Sequence, residues 1–121
     1  MKLVYIAGRY RGRTPEAVQA NIEAARFIGL LAAEKGWFPV IPHLNTQGFE
    51  DILSHDDDLS HDDDFYLEGT LELMRRCDAV VMVPGWQKSA GAVSELDDAV
   101  SLSMEYFLSV EDMPEVDNYG I

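Results

Sequence analysis

Apolar residues in this chain alternate between short dense runs and longer stretches where they recur every three or four positions. Leu3-Val4-Tyr5-Ile6-Ala7 is an unbroken β-rich run closed by Gly8, the pattern of a strand buried on both faces. Thr14-Pro15-Glu16 then opens a helix, with Thr as N-cap, Pro at the first helical position and an acid in the first turn. Val18, Ile22, Ala25 and Leu31 keep helical spacing as far as Lys35, and Gly36 ends the helix. Phe38-Pro39-Val40-Ile41-Pro42 predicts a second strand, short or at an edge because its prolines lack ladder donors. Residues 43–64 are irregular. Leu67, Leu71 and Met74, at i, i+4 and i+7, predict a second helix from about Phe65 to Arg76. Ala79 to Val83 predicts a third buried strand, and about Ala90 to Ser103 a third helix. Val93, Leu96 and Val100 form the core stripe of that helix, which leaves Glu95 about 100° from Leu96, at the margin of the stripe. Tyr106 to Val110 predicts a fourth strand.

Alternating strands and helices predict a three-layer α/β domain, flavodoxin- or Rossmann-like, with a parallel sheet of four to five strands and right-handed crossovers. The 121 residues suit one domain, placed at 1–110, with 111–121 as an acidic C-terminal tail that is free or docks on a partner subunit. In such sheets ligands collect beyond the carboxyl ends of the strands. Those ends are Gly8-Arg9, Pro42-His43 and Pro84-Gly85, so three loops converge on one crevice.

Charge narrows the partners. Nine basic and 22 acidic residues give a formal net charge of −13, which repels polymeric nucleic acid and anionic membranes. A small anion held by local arginines and backbone N–H groups remains compatible with it. The single cysteine, Cys77, excludes a disulfide framework, fits a reducing cytosol and reads as a small core residue. No apolar stretch is long enough to span a membrane and no signal pattern is present, so the expected location is cytoplasmic.

Two segments carry candidate chemistry. In Tyr5 to Gly12, the glycines permit close backbone approach, while Arg9 and Arg11 can grip a phosphate or carboxylate through forked hydrogen bonds. A tight turn with solvated arginines explains the same residues. The spacing is neither a dinucleotide fingerprint nor a Walker loop. In Pro84 to Glu95, Ser89 caps the helix or binds a ligand hydroxyl, Gly91 permits close approach, and Trp86 is placed to wall a base pocket. Glu95 is a nucleophile, a base, or an ordinary acid favoured by the helix dipole. A short repeat, Ser54-His55-Asp56-Asp57-Asp58 and Ser60-His61-Asp62-Asp63-Asp64, matches no standard metal site and reads as solvated loop.

Taken together, Tyr5-Ile6-Ala7-Gly8 with Arg11-Gly12, then Cys77-Asp78-Ala79-Val80, then Pro84-Gly85-Trp86 with Ser89-Ala90-Gly91-Ala92 and Glu95, resemble the nucleoside 2-deoxyribosyltransferase-like superfamily. The likeness is to its small DUF4406-type members and spans about residues 3 to 110. The resemblance implies a homodimer or higher homo-oligomer and no metal or organic cofactor. It also implies cleavage or base exchange at the N-glycosidic bond of a nucleoside or nucleoside 5′-monophosphate, through a covalent glycosyl-glutamate intermediate. On this likeness Glu95 is the nucleophile, and Tyr5, Gly8, Arg9, Arg11, Gly12, His43, Trp86, Ser89 and Gly91 line the substrate. Relatives carry an aspartate for proton transfer where this chain has Thr70, so Glu68 or Asp64 is expected to substitute if the helix is rotated or shifted. Two other readings follow from the same residues: a non-catalytic nucleotide-binding or sensing module that has lost the acid, and an acidic interaction protein whose 55–64 block binds a basic or metal partner.

Overall fold

The computed structural model describes residues 1–49 and 63–117. The described part of the chain runs β1 (Leu3–Ala7), α1 (Pro15–Glu34), β2 (Phe38–Val40), α2 (Pro42–Asn45), α3 (Asp63–Arg75), β3 (Ala79–Met82), α4 (Ala90–Ser101) and β4 (Glu105–Phe107). Two 3₁₀ turns, Trp86–Lys88 and Val110–Asp112, flank α4 and β4. The sheet order is β2-β1-β3-β4 and every pairing is parallel. The predicted three-layer α/β architecture is therefore the observed one, with four strands among the described residues.

Strand alternation divides the core in two. Val4 and Ile6 of β1 join Ala79 and Val81 of β3 beneath α1, packing on Ala25, Ile28 and Ala32. Tyr5 and Ala7 join Val80 and Met82 on the opposite face, beneath Met74 of α3 and Ala92 and Ala99 of α4. Because β1 and β3 are the inner strands, both of their faces are covered, which explains their continuous apolar runs. Of the prolines in the predicted second strand, Pro39 sits in β2, an edge strand, as expected, while Pro42 opens α2 instead.

The N-terminus of α1 is built as the sequence predicts, with Thr14 Oγ1 accepting from the Ala17 amide at 3.1 Å and Pro15 in the first turn. Several expectations shift. α2 interrupts the segment predicted to be irregular, and β4 spans Glu105–Phe107 rather than Tyr106–Val110. Leu67, expected in the core stripe of α3, is exposed, whereas Met74 is fully buried. On α4 the buried residues are Ala92 and Ala99, with Leu96 packed beside them, and Val100 lies out in solvent. The stripe is thus turned about one residue from the predicted one. Alanines let the helix sit close to the sheet, and the turn places Glu95 on the inward face instead of at its margin.

The largest departure concerns the segment after residue 110. Val110 and Met113 are buried in the α1-side core, and Val116 packs against it. Lys35 Nζ donates to the carbonyls of Val110 and Met113 at 2.9 Å each, Trp37 Nε1 donates to the Pro114 carbonyl at 2.9 Å, and the Val116 amide donates to the Lys35 carbonyl at 2.7 Å. Residues 111–117 are therefore strapped onto the domain and are not a tail. Gly36 makes this possible: its φ is +93°, and a Cβ there would come within 1.8 Å of the Val116 oxygen. The acidic composition hid two apolar anchors, Met113 and Val116, three positions apart in a segment too short and too acidic to read as strand or helix.

Candidate functional site

The three loop ends predicted to converge do meet. His43 Nε2 donates to the Arg9 carbonyl at 3.0 Å, joining the end of β2 to the end of β1. Gly8 abuts Val83 so closely that a Cβ would lie 2.7 Å from the Val83 side chain, joining β1 to β3. The chain reverses direction between β1 and β3, since β2 lies on one side of β1 and β3 on the other. This is the switch point at which α/β sheets of this order open a crevice.

At that point the Tyr5 hydroxyl donates to Oε2 of Glu95. Tyr5 is fully buried, because its place on the inner strand β1 turns it under α3 and α4. Expected among the residues lining the substrate, it turns its hydroxyl to the Glu95 carboxylate. Burial pushes the Glu95 carboxyl up to about 7, Asp98 adds to the rise, and the Tyr5 hydrogen bond opposes it. Burial first, and then Glu95 itself, drives the Tyr5 hydroxyl well above its ordinary range, so the shared proton resides on Tyr5. The arrangement is a half-buried carboxylate able to exist in both protonation states near neutrality, steered by one fixed donor.

The other predicted residues divide into those that serve the loops and those that remain exposed. Ser89 is the N-cap of α4, accepting from the Ala92 amide at 3.2 Å, so the capping explanation holds for it. Gly91 is exposed, and Trp86 is half-buried against the α4-side core. Arg9, Arg11 and Gly12 are exposed on the loop after β1. That loop is anchored by Asn21 of α1, whose Nδ2 donates to the carbonyls of Tyr10 at 3.1 Å and Arg11 at 3.2 Å. Nothing in the spacing marks Asn21, since a polar residue on a helix reads as solvated.

His43 is buried and meets the edge of Tyr10 with ring centroids 5.7 Å apart. A carbonyl only accepts, so the ring proton lies on Nε2, and Nδ1 is a buried acceptor with no partner among the described residues. Burial holds its pKa below the ordinary value despite the Arg9 and Gly8 carbonyls. His43 therefore works as a neutral strut beneath the Arg9 loop.

The proton donors expected on α3 lie elsewhere. Phe65, Tyr66, Gly69, Thr70 and Leu73 line a cleft against Pro42, Asn45 and Thr46 of the α2 region. At about 100° per residue, Asp64 and Glu68 fall well round the helix from that cleft, and both are exposed. Thr70 faces the cleft, with its hydroxyl donating to the Tyr66 carbonyl at 2.6 Å. The carboxylate that acts on Glu95 is Asp98, three residues on along the same helix, where side chains stand one above the other. The i, i+3 spacing was legible, but only the turned stripe of α4 makes Asp98 a neighbour of the site.

Cys77 is buried, and burial with the neighbouring Asp78 pushes its thiol up to about 11, which suits a core residue and not a nucleophile. The acidic repeat with His55 and His61 lies at 54–64, of which 54–62 are outside the described residues. Among the described residues no group of three His, Cys, Asp or Glu side chains is placed to hold a metal ion, and no helix is long and apolar enough to cross a membrane.

No curated protein matches the chain. Residues 2–108 match a family described as a domain of unknown function, DUF7768. That match covers every strand and helix of the sheet framework, and the chain belongs to this family.

Proposed function

We propose that this protein cleaves or exchanges the N-glycosidic bond of a nucleoside or nucleoside 5′-monophosphate, with Glu95 as the attacking carboxylate. The observation that carries the reading is the Tyr5–Glu95 pair at the reversal point of the sheet. Glu95 Oε attacks the anomeric carbon as the carbon–nitrogen bond breaks, and the bond electrons leave with the base, which takes up a proton from water. Water or a second base then attacks the same carbon and releases the carboxylate. The Tyr5 hydroxyl favours the ionised, attacking form of Glu95 and fixes its direction. Arg9 and Arg11, exposed on the loop propped by His43 and Asn21, suit a 5′-phosphate. A homo-oligomer belongs to the same reading. Incubation with deoxynucleosides and their monophosphates, followed by chromatography, tests it: base release by the wild type, abolished in Glu95→Ala with the fold intact, is the expected result. Full activity in that variant overturns it.

A second reading is favoured by the position of the acids. Asp64 and Glu68 are exposed and do not act on Glu95, and Thr70 occupies the place where relatives of the resembling superfamily carry an aspartate. A module that binds or senses nucleotides without cleaving them accounts for this. Saturable binding of a monophosphate with no free base after long incubation distinguishes it.

A further inference from the structure

The cleft between α2 and α3 has a volume of about 220 Å³, and its lining includes neither Glu95, nor Tyr5, nor any residue of the Gly8–Gly12 loop. Its walls combine aromatic, apolar and polar character. Phe65 and Tyr66 meet edge to face with centroids 5.3 Å apart, Leu73 and Pro42 close the apolar part, and Asn45, Thr46 and Thr70 supply polar groups. Thr70 spends its hydroxyl proton on the Tyr66 carbonyl, so its oxygen presents lone pairs as an acceptor.

Gly69 is the independent clue. It stands in the interior of α3, where glycine costs about 1 kcal/mol relative to alanine. Helix-interior glycines usually answer to a close neighbour, but a Cβ built at Gly69 meets no atom of the described residues within 4 Å. No packing constraint among the described residues requires it. What it does is keep one side of the cleft open. An apolar cavity of about 150 Å³ is enough to hold a benzene-sized ring, and this cleft is somewhat larger and has polar groups along its lining.

We propose that the α2–α3 cleft is a binding site for a neutral planar heteroaromatic ring of nucleobase size, kept open by Gly69. The flat ring lies against Phe65 and Tyr66, and its N–H and carbonyl edges face Thr70, Asn45 and Thr46. Naming a nucleobase rests on the glycosyl-transfer reading; binding of a heteroaromatic ring does not.

The test uses adenine and uracil as probes, with phenol as a ring of similar size but few polar edges. Amide shifts of Asn45, Gly69 and Thr70 are followed by NMR in the wild type, Gly69→Leu and Glu95→Gln. Leucine at 69 improves helix propensity while its side chain fills the cleft, so this variant is expected to fold, melt higher than the wild type, and lose base affinity at least tenfold. Glu95→Gln is expected to bind the bases unchanged. No shift of these amides with either base, wild-type affinity in Gly69→Leu, phenol binding as tightly as the bases, or loss of binding in Glu95→Gln would each overturn the proposal. Bases that bind to a wild type releasing none from nucleosides support the cleft and count against the Glu95 chemistry alone.

Discussion

The Tyr5 hydroxyl donates to the Glu95 carboxylate across 90 residues of sequence, and the two side chains come from an inner strand and from the helix that follows its neighbour. The hydrogen bond pulls the Glu95 pKa down while burial and Asp98 push it up. Tyr5→Phe removes the donor and keeps the ring. The Glu95 carboxyl then titrates above about 7, and any activity that needs its ionised form loses its acid limb at correspondingly higher pH. Carboxyl ¹³C titration and the pH–rate profile both read this. A Glu95 titration identical in wild type and variant would show that the pair is not formed in solution.

Asp98→Asn moves the same titration the other way. Removing the neighbouring charge lowers the Glu95 pKa below about 7. The opposite signs of the two variants separate an electrostatic effect from general loosening of α4, which would shift both alike.

Glu95 also makes stability depend on pH. Its folded carboxyl keeps a proton to about pH 7, whereas the unfolded chain releases it near the ordinary 4.5. The favourable contribution is therefore complete below pH 4.5 and is lost as pH rises to about 7. Glu95→Gln, which carries no charge and keeps an acceptor for Tyr5, is expected to be more stable than the wild type at pH 8, by on the order of 2 kcal/mol. The difference closes at pH 4.5. Melting temperatures of the two proteins across this range check it, and a constant difference would refute the burial of the charge.

The strap of residues 110–117 is expected to be indispensable. Truncation after Ser109 removes Val110 and Met113 from the core, where each burial contributes about 1.5–3 kcal/mol, and leaves Trp37 Nε1 without its acceptor. Circular dichroism should show a melting point many degrees lower or no cooperative transition. Gly36→Ala, which strains the positive φ and collides with Val116, should lower the melting point by several degrees without loss of fold. Wild-type stability in the truncated chain would mean that the segment merely rests on the surface.

How far the sequence discloses this depends on the kind of signal. Leu3–Ala7 and Ala79–Met82 were readable because strands covered on both faces must be apolar throughout, and α1 because Thr14 and Pro15 mark its start. Glu95 was readable as a candidate, but its link to Tyr5 was not. Tyr5 reads beside it as a residue lining the substrate, but their pairing depends on where α4 is placed, and that placing rests on Ala92 and Ala99, small residues that weigh little in a hydrophobic stripe. The strap escaped notice for a related reason: its anchors, Val110, Met113 and Val116, stand three apart, a spacing of neither strand alternation nor a full helical stripe, in a short segment crowded with acids.

The position of Tyr5 within β1 bears on motion. Parallel strands flanked on both sides exchange their amide protons only when the whole molecule opens, whereas single helices at the periphery can detach locally. One end of the Tyr5–Glu95 link is consequently rooted in the slowest-exchanging stratum of the protein. If the carboxylate is to swing toward a ligand, the displacement has to come from α4, and the phenol stays behind as a fixed reference for its return.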